Sequence, residues 1–469
     1  MAESDMVRLD FNNMMADIVG PEHGITLAEL EEIAGRTAVH VRDLAARRAA
    51  GELAWMDLPY SDDVVAEVKT AADELRDRFD NVVVLGIGGS ALGIIAVQQA
   101  LNPAEFNILT RDERGGPRLF VCDNIDPSVF EQVLAKTDPE RTLYNVVTKS
   151  GTTAETLSQL LVVWERIVER VGDRAPEHVI ATTSADHGLL RAFATEHGLR
   201  SFAIPDGVGG RFSVLSPVGL VPAAICGIDI EGLLAGAAEA DRRCRSEDLF
   251  ANPAMAGAAI QYLADTRKGK HIAVMMPYAA ALDRISDWFR QIWAESLGKR
   301  FNLDGQVVHV GQTPVKALGV TDQHSQVQLY TEGPNDKTFT FIAVADFDRD
   351  VSIPPNADVP EGMQYLRGKT IGQLFDAERR ATQMALTDAG RPNATISLPA
   401  ITPHSVGQLL YIFEVQTALA GHLYNVNPFD QPGVERGKLL TRALMGDGSL
   451  ADLLDEVQQR PAPDERFII

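Results

Sequence analysis

Val82-Val83-Val84-Leu85-Gly86-Ile87-Gly88-Gly89-Ser90 decides the fold. Four successive apolar residues fit a strand buried on both faces, and the glycines after them let the backbone turn tightly and approach another group closely. A second stretch repeats that grammar. Tyr144-Asn145-Val146-Val147 runs into Thr148-Lys149-Ser150-Gly151-Thr152-Thr153-Ala154-Glu155-Thr156, which crowds hydroxyls, a cation and backbone N–H groups between a strand-like run and a helical one. That composition makes a phosphate cradle: glycine permits close approach, a helix N-terminus favours negative charge, and hydroxyls add donors without bulk. Two such turns can close on one anionic ligand.

Outward from these turns, further apolar runs alternate with helical stretches: Leu119 to Val121, Val179 to Ala181 and Phe202 to Ile204. Their spacing, roughly 25 to 35 residues, predicts βαβ units and a parallel sheet. A second series follows a helical connector: Ile272 to Met276, Val307 to Val310, Phe339 to Val344 and Ala394 to Leu398. The reading is α/β, with two doubly wound, mostly parallel lobes at residues 60–240 and 241–440. Residues 1–59 read as a helical arm, 441–469 as a polar tail, and Ser405 to Tyr424, apolar on most faces with a lone Glu414, as a buried helix.

The chain has 469 residues, too many for one ordinary core. Apolar residues make up 45% and charged ones 23%, ordinary proportions, and no apolar run has the length of a membrane span. The start, Met1-Ala2-Glu3-Ser4-Asp5, is acidic where a secretory signal is basic and then apolar, so the cytoplasm is the expected location. Cys122, Cys226 and Cys244 are widely spaced and odd in number, which predicts reduced, structural thiols. Net charge is −22, from 65 acidic and 43 basic residues, and argues against nucleic acid as a partner but not against a small anion met by a few converging cations.

Other candidates for chemistry stand out by context. Arg211 in Gly209-Gly210-Arg211-Phe212-Ser213 and Lys438 in Gly433-Val434-Glu435-Arg436-Gly437-Lys438 carry cations beside glycines. The arginine fork there suits an oxyanion. On the helix predicted from Leu282 to Leu297, Ile285, Phe289, Ile292 and Ser296 follow core spacing, while Gln291 and Glu295 share another face at i, i+4. Partial burial near Trp288 and Trp293 is expected to raise the Glu295 pKa toward the range of a general base. His324, in Thr321-Asp322-Gln323-His324-Ser325-Gln326, has the most polar company of the ten histidines and can serve a sugar hydroxyl. No histidine pair has metal-ligand spacing with a carboxylate, so no metal is expected. The first glycine turn also fits the dinucleotide fingerprint in its alanine form, but the acidic residue that pattern wants comes late, at Asp123, and no cofactor is expected.

Taken together, Gly86 to Ser90, Ser150 to Thr156, Asp206-Gly207-Val208-Gly209-Gly210-Arg211-Phe212-Ser213 and Asn427-Pro428-Phe429-Asp430-Gln431-Pro432-Gly433-Val434-Glu435-Arg436-Gly437-Lys438 resemble the hallmark motifs of the phosphoglucose isomerase family, in its order. The first two motifs are shared by other sugar-phosphate-binding proteins; the last two are far more specific. The resemblance implies two sugar-isomerase-type α/β domains and metal-independent interconversion of glucose 6-phosphate and fructose 6-phosphate in glycolysis and gluconeogenesis. By the same resemblance, Thr148, Ser150, Thr152 and Thr153 would hold the phosphate beside Gly88, Gly89 and Ser90. Glu295 would be the base that moves a proton between C2 and C1, and Arg211 would stabilise the enediol charge. His324, with Lys438, would assist ring opening, and Lys149, Glu155, Gln291 and Gln431 would line the sugar. It further implies a homodimer in which His324 reaches the pocket of the other subunit. Two alternatives share the cradle: an isomerase for another sugar phosphate, and a non-catalytic sugar-phosphate sensor.

Overall fold

Among the described residues, twelve strands build two five-stranded sheets and a small hairpin. In chain order they are β1 (Arg8–Asp10), β2 (Asn81–Leu85), β3 (Arg118–Cys122), β4 (Thr142–Thr148), β5 (Val179–Thr183), β6 (Arg200–Ala203), β7 (Ile272–Pro277), β8 (Lys299–Phe301), β9 (Val307–Val310), β10 (Thr313–Lys316), β11 (Lys337–Asp346) and β12 (Asn393–Ala400). This computed structural model describes residues 5–356 and 358–469, so Met1 to Ser4 of the polar start lie outside the described residues.

The first sheet is ordered β3-β2-β4-β5-β6 and is parallel throughout. β2, β4 and β5 are buried along their whole length, as continuous apolar runs covered on both faces require. The chain leaves β2 toward β3 on one side and returns to β4 on the other. Ligands of open α/β sheets bind outside the carboxyl ends of strands at such a reversal. Both glycine turns, 86–90 after β2 and 149–153 after β4, lie at that point.

The second sheet is ordered β1-β12-β11-β7-β10, parallel except for β1, which pairs antiparallel with β12. Here one sequence expectation is corrected. Val307–Val310 does not join the parallel sheet but pairs antiparallel with β8, and the parallel partner of β7 is Thr313–Lys316. Pro314 and Lys316 gave that segment little strand character, yet an edge strand tolerates a proline.

One face of each sheet packs into a shared helical layer. A single apolar cluster runs from Val82, Val84 and Val147 through Leu410 and Phe413 to Ile342 and Ile396, and the outer faces carry separate clusters around Tyr144 and Phe341. At the centre lies the helix Pro403–Leu423, buried on nearly every face, against the helices Ile230–Cys244, Pro253–Lys268 and Asp283–Leu297. The N-terminal stretch forms the helix Leu27–Ala49, begun by a capping box of Thr26 and Glu29, and also supplies β1. The C-terminal residues form two short, exposed helices, Glu435–Leu444 and Ala451–Gln458. Cys122, Cys226 and Cys244 are free and buried.

Candidate active site

The cradle after β4 is built as an acceptor of negative charge. Gly151 takes a positive φ of 65°, and a Cβ there would lie 2.9 Å from Gly188 Cα, so both the turn and the close approach require glycine. The turn is tied by Ser150 Oγ, which accepts from Thr152 N at 3.2 Å and stands 3.1 Å from Thr152 Oγ1. Thr153 is the N-cap of the 18-residue helix Ala154–Val171, but its hydroxyl pairs with Thr148 Oγ1 at 2.9 Å and does not cap the helix. The first N–H groups of that helix therefore have no side-chain cap among the described residues, and they carry the positive end of its dipole. Glu155 stands half-exposed in the first turn.

The turn after β2 closes the other side. A Cβ on Gly89 would sit 2.2 Å from Gly210 O and 2.7 Å from Arg211 N, and one on Gly88 would sit 3.0 Å from Gln291 Nε2. Hydrogen in place of a side chain thus lets this turn touch both the arginine loop and the helix Asp283–Leu297, with Ser90 half-exposed at its end. That helix divides as its spacing predicts. Ile285, Phe289, Ile292 and Ser296 are buried, while Gln291 and Glu295 meet on the open face, Gln291 Nε2 donating to Glu295 Oε1 at 3.3 Å.

Arg211 is the hub of the site. Its Nε donates to Ser296 Oγ at 2.7 Å, one terminal nitrogen to Glu295 Oε2 at 3.3 Å and Gln431 Oε1 at 3.0 Å, and the other to the carbonyls of Pro428 at 2.5 Å and Asp430 at 3.0 Å. All five donors of the fork are engaged. Its side chain is 4% exposed against 37% for Glu295, so a fixed buried cation faces a partly exposed carboxylate. Burial pulls the guanidinium below its ordinary pKa, and Glu295 and Asp430 oppose that pull. Glu295 is partly buried, but not by the tryptophans expected beside it: Trp288 and Trp293 turn into the core, and the carboxylate faces a cation. Lys149 reaches across to Val208 O at 2.7 Å, its pKa lowered by burial.

The phosphoglucose isomerase family model matches residues 65–453 of this chain. The chain belongs to the phosphoglucose isomerase family. A glucose-6-phosphate isomerase of Carboxydothermus hydrogenoformans is 47% identical, over 99% of both chains. Another, of Rubrobacter xylanophilus, is 44% identical over 94% of this chain and 98% of its own. Among solved structures, a hypothetical protein of Thermus thermophilus superposes with a TM-score of 0.84 at 38% identity, covering 94% of this chain and all of that one. A glucose-6-phosphate isomerase of Chlamydia trachomatis shares the fold, with a TM-score of 0.73 at 24% identity over 85% of this chain and 76% of its own.

In this isomerase two of the family-implied residues stand apart from the Arg211 hub. His324 is exposed in the short helical turn Thr321–His324, and among the described residues no hydrogen bond joins it to Glu295 or Arg211. Lys438 is exposed in the helix Glu435–Leu444, 2.7 Å from Glu435 Oε1. Other parts of the isomerase site escaped the reading of its sequence. Ser296 takes the arginine Nε, and the main chain of 428–430 takes two more donors. Behind them Trp55 packs against Phe212 at 5.0 Å and Phe429 at 6.4 Å, with the Arg47 guanidinium 5.4 Å above Phe429. The N-terminal stretch therefore braces both loops that hold Arg211. Trp55, the single tryptophan of the arm, was the one available signal.

Proposed function

We propose that this protein interconverts glucose 6-phosphate and fructose 6-phosphate, with Glu295 as the base. The observation that carries the reading is the Glu295–Arg211 pair, an accessible carboxylate facing a buried cation, set beside an uncapped helix N-terminus at the strand reversal. The phosphate would rest on Thr148, Ser150, Thr152, Thr153 and the helix N–H groups, with Gly88, Gly89 and Ser90 closing from the other turn. That anchor would bring C1 and C2 of the open-chain sugar to Glu295, while Lys149, Glu155, Gln291 and Gln431 line the chain.

Glu295 then removes the C2 proton, the C–H electron pair forms the C1=C2 bond, and the carbonyl pair moves onto O1. Arg211 faces that charge; a preorganised donor of this kind contributes about 3 to 4 kcal/mol to a transition state. A proton passes from O2 to O1, the carboxyl returns its proton to C1, and C2 becomes the carbonyl. One carboxylate serving neighbouring carbons needs only one face of the enediol.

His324 and Lys438 would open the ring. The exposure of His324 in one chain supports its delivery to the site of a second copy, in a homodimer. The strong net negative charge supports a small anion over nucleic acid as partner, and the cytoplasm as the place of action follows from the family's glycolytic reaction. Among the described residues no helix is long and apolar enough to cross a membrane.

The test is a coupled assay from fructose 6-phosphate in excess EDTA, on wild type and Glu295→Gln. Activity that survives EDTA and disappears in the variant is expected; a near-normal rate in the variant removes Glu295 from the chemistry. Light scattering that finds only active monomer would exclude the shared site.

A further inference from the structure

Lys299 belongs to none of the glycine, arginine or lysine motifs; it is the first residue of β8, just beyond the helix that carries Glu295. Its ammonium is buried and donates to Glu295 O at 2.6 Å and Asp430 O at 2.8 Å, with Asp430 Oδ1 as an ion-pair partner at 3.4 Å. Glu295 O is one of the last-turn carbonyls that a helix leaves without a partner, and the neighbouring orphan, Ala294 O, is taken by Gly298 N. Asp430 O is shared with Arg211, whose terminal nitrogen donates to it at 3.0 Å. The lysine backbone is itself fixed, because Lys299 pairs with Val310 across the hairpin.

Two cations therefore meet on one loop carbonyl in a nearly dry place. Burial and the adjacent guanidinium both lower the Lys299 pKa, so holding a charged ammonium here costs free energy. A helix end needing only a cap is served by an αL glycine or by a lysine reaching from the surface. The ammonium instead joins the main chain of Glu295 to the loop that presents Gln431 and receives Arg211.

We propose that Lys299 is a positioning residue for the proton transfer, fixing the main chain of Glu295 relative to the Arg211 fork. The proposal rests on Glu295 being the base. Arg211 and Gln291 each reach the Glu295 carboxylate at only 3.3 Å, long contacts that hold its place weakly unless its helix is fixed. With the clamp gone, the helix end and the 427–431 loop can shift apart, and the carboxyl that has taken a proton from C2 no longer sits over C1. The enediol then waits longer, and the proton on Glu295 exchanges with water before delivery.

That consequence gives a readout which loss of folded protein does not move. Glucose 6-phosphate deuterated at C2 is converted in ordinary water by wild type, Lys299→Met and Lys299→Gln. The fraction of deuterium that arrives at C1, as against that lost to solvent, is measured in the product. The ratio belongs to each turnover, so residual activity suffices even where much of a variant is unfolded. For Lys299→Met the transferred fraction is expected to fall, with kcat lower on the order of 10²-fold and KM within about threefold. Lys299→Gln keeps a neutral donor for Glu295 O and is expected to lie between. A wild-type transferred fraction in both variants overturns the proposal. If Glu295→Gln is inactive while both lysine variants transfer normally, only the Lys299 inference fails; if Glu295→Gln is active, the base assignment fails first.

Discussion

Glu414 sits at the middle of the central buried helix with no hydrogen-bond partner for either carboxyl oxygen among the described residues, and desolvation holds its pKa well above the ordinary carboxylate value of 4.5. The sign of its effect on stability follows from linkage. Below the ordinary value the carboxyl is protonated in both the folded and the unfolded chain, and it gives no pH dependence. Above that value the unfolded chain ionises while the folded chain keeps its proton, so stability is lost as pH rises toward the raised folded value. Within that window each pH unit costs about 1.4 kcal/mol. Unfolding entropy of about 2.1 cal/mol/K per residue gives roughly 1 kcal/mol/K for a chain of this length, so the loss appears as about 1.4 °C of Tm per pH unit. Glu414→Gln removes the titration and keeps the shape. Scanning calorimetry of both proteins at about pH 5 and about pH 6.5 should show the Tm difference, variant minus wild type, widening by about 2 °C. Any cost of burying the new amide is the same at both pH values and cancels. A constant or shrinking gap would refute the argument, since it would mean that Glu414 ionises in the folded chain with a partner that stabilises the charge.

Arg211→Lys keeps a charge but replaces five forked donors by three, and kcat should fall by about 10²- to 10³-fold with a smaller change in KM, as steady-state kinetics will read. Gly89→Ala drives a methyl group into the main chain of Gly210 and Arg211; a stability loss of about 1–3 kcal/mol by thermal shift should accompany a fall in kcat/KM. Thr153→Val removes the hydroxyl facing Thr148, and KM for fructose 6-phosphate should rise about tenfold or more, with inorganic phosphate weakened as an inhibitor in parallel.

Much of this site was legible because its signals are side-chain signals at short range. Gln291 and Glu295 stand four apart on a helix whose opposite positions are apolar, and that spacing alone brings the two together. The glycines at 88, 89 and 151 announce close approach or left-handed backbone, and the structure puts a neighbouring group within about 3 Å of each missing Cβ. What stayed hidden was carried by atoms that every residue has. The carbonyls of Pro428, Asp430 and Glu295 hold Arg211 and Lys299, and no choice of side chain marks a carbonyl for that use. Lys299 itself stands four residues beyond Glu295, a spacing that normally suggests a surface ion pair; its burial depends on a hairpin of Lys299–Phe301 with Val307–Val310, of which only the second reads as a strand, and as a member of the parallel sheet. β1 has three residues and gains its place by pairing with β12, hundreds of residues away, a long-range cause that local pattern does not record.

The two sheets explain why so asymmetric a site arises from two similar halves. In the first, β2 lies between β3 and β4; in the second, β7 lies between β10 and β11, and β1 occupies the position that β6 has in the first. Each half therefore has a strand reversal where a ligand could enter. In the second half that point is filled. Tyr278 follows β7, is buried against Phe341 and Phe375, and its ring lies where a Cβ on Gly319 would be, 2.5 Å away. A cradle cannot form around an aromatic ring. The chain leaving β7 instead becomes the helix Asp283–Leu297, which runs to the first half and presents Gln291 and Glu295 to its glycine turn. One reversal is open and, on the proposed roles, would hold the anion, while the other is plugged and sends out the helix that carries Glu295; the separation of binding from proton transfer would then follow from which half keeps glycine after its first strand and which keeps tyrosine.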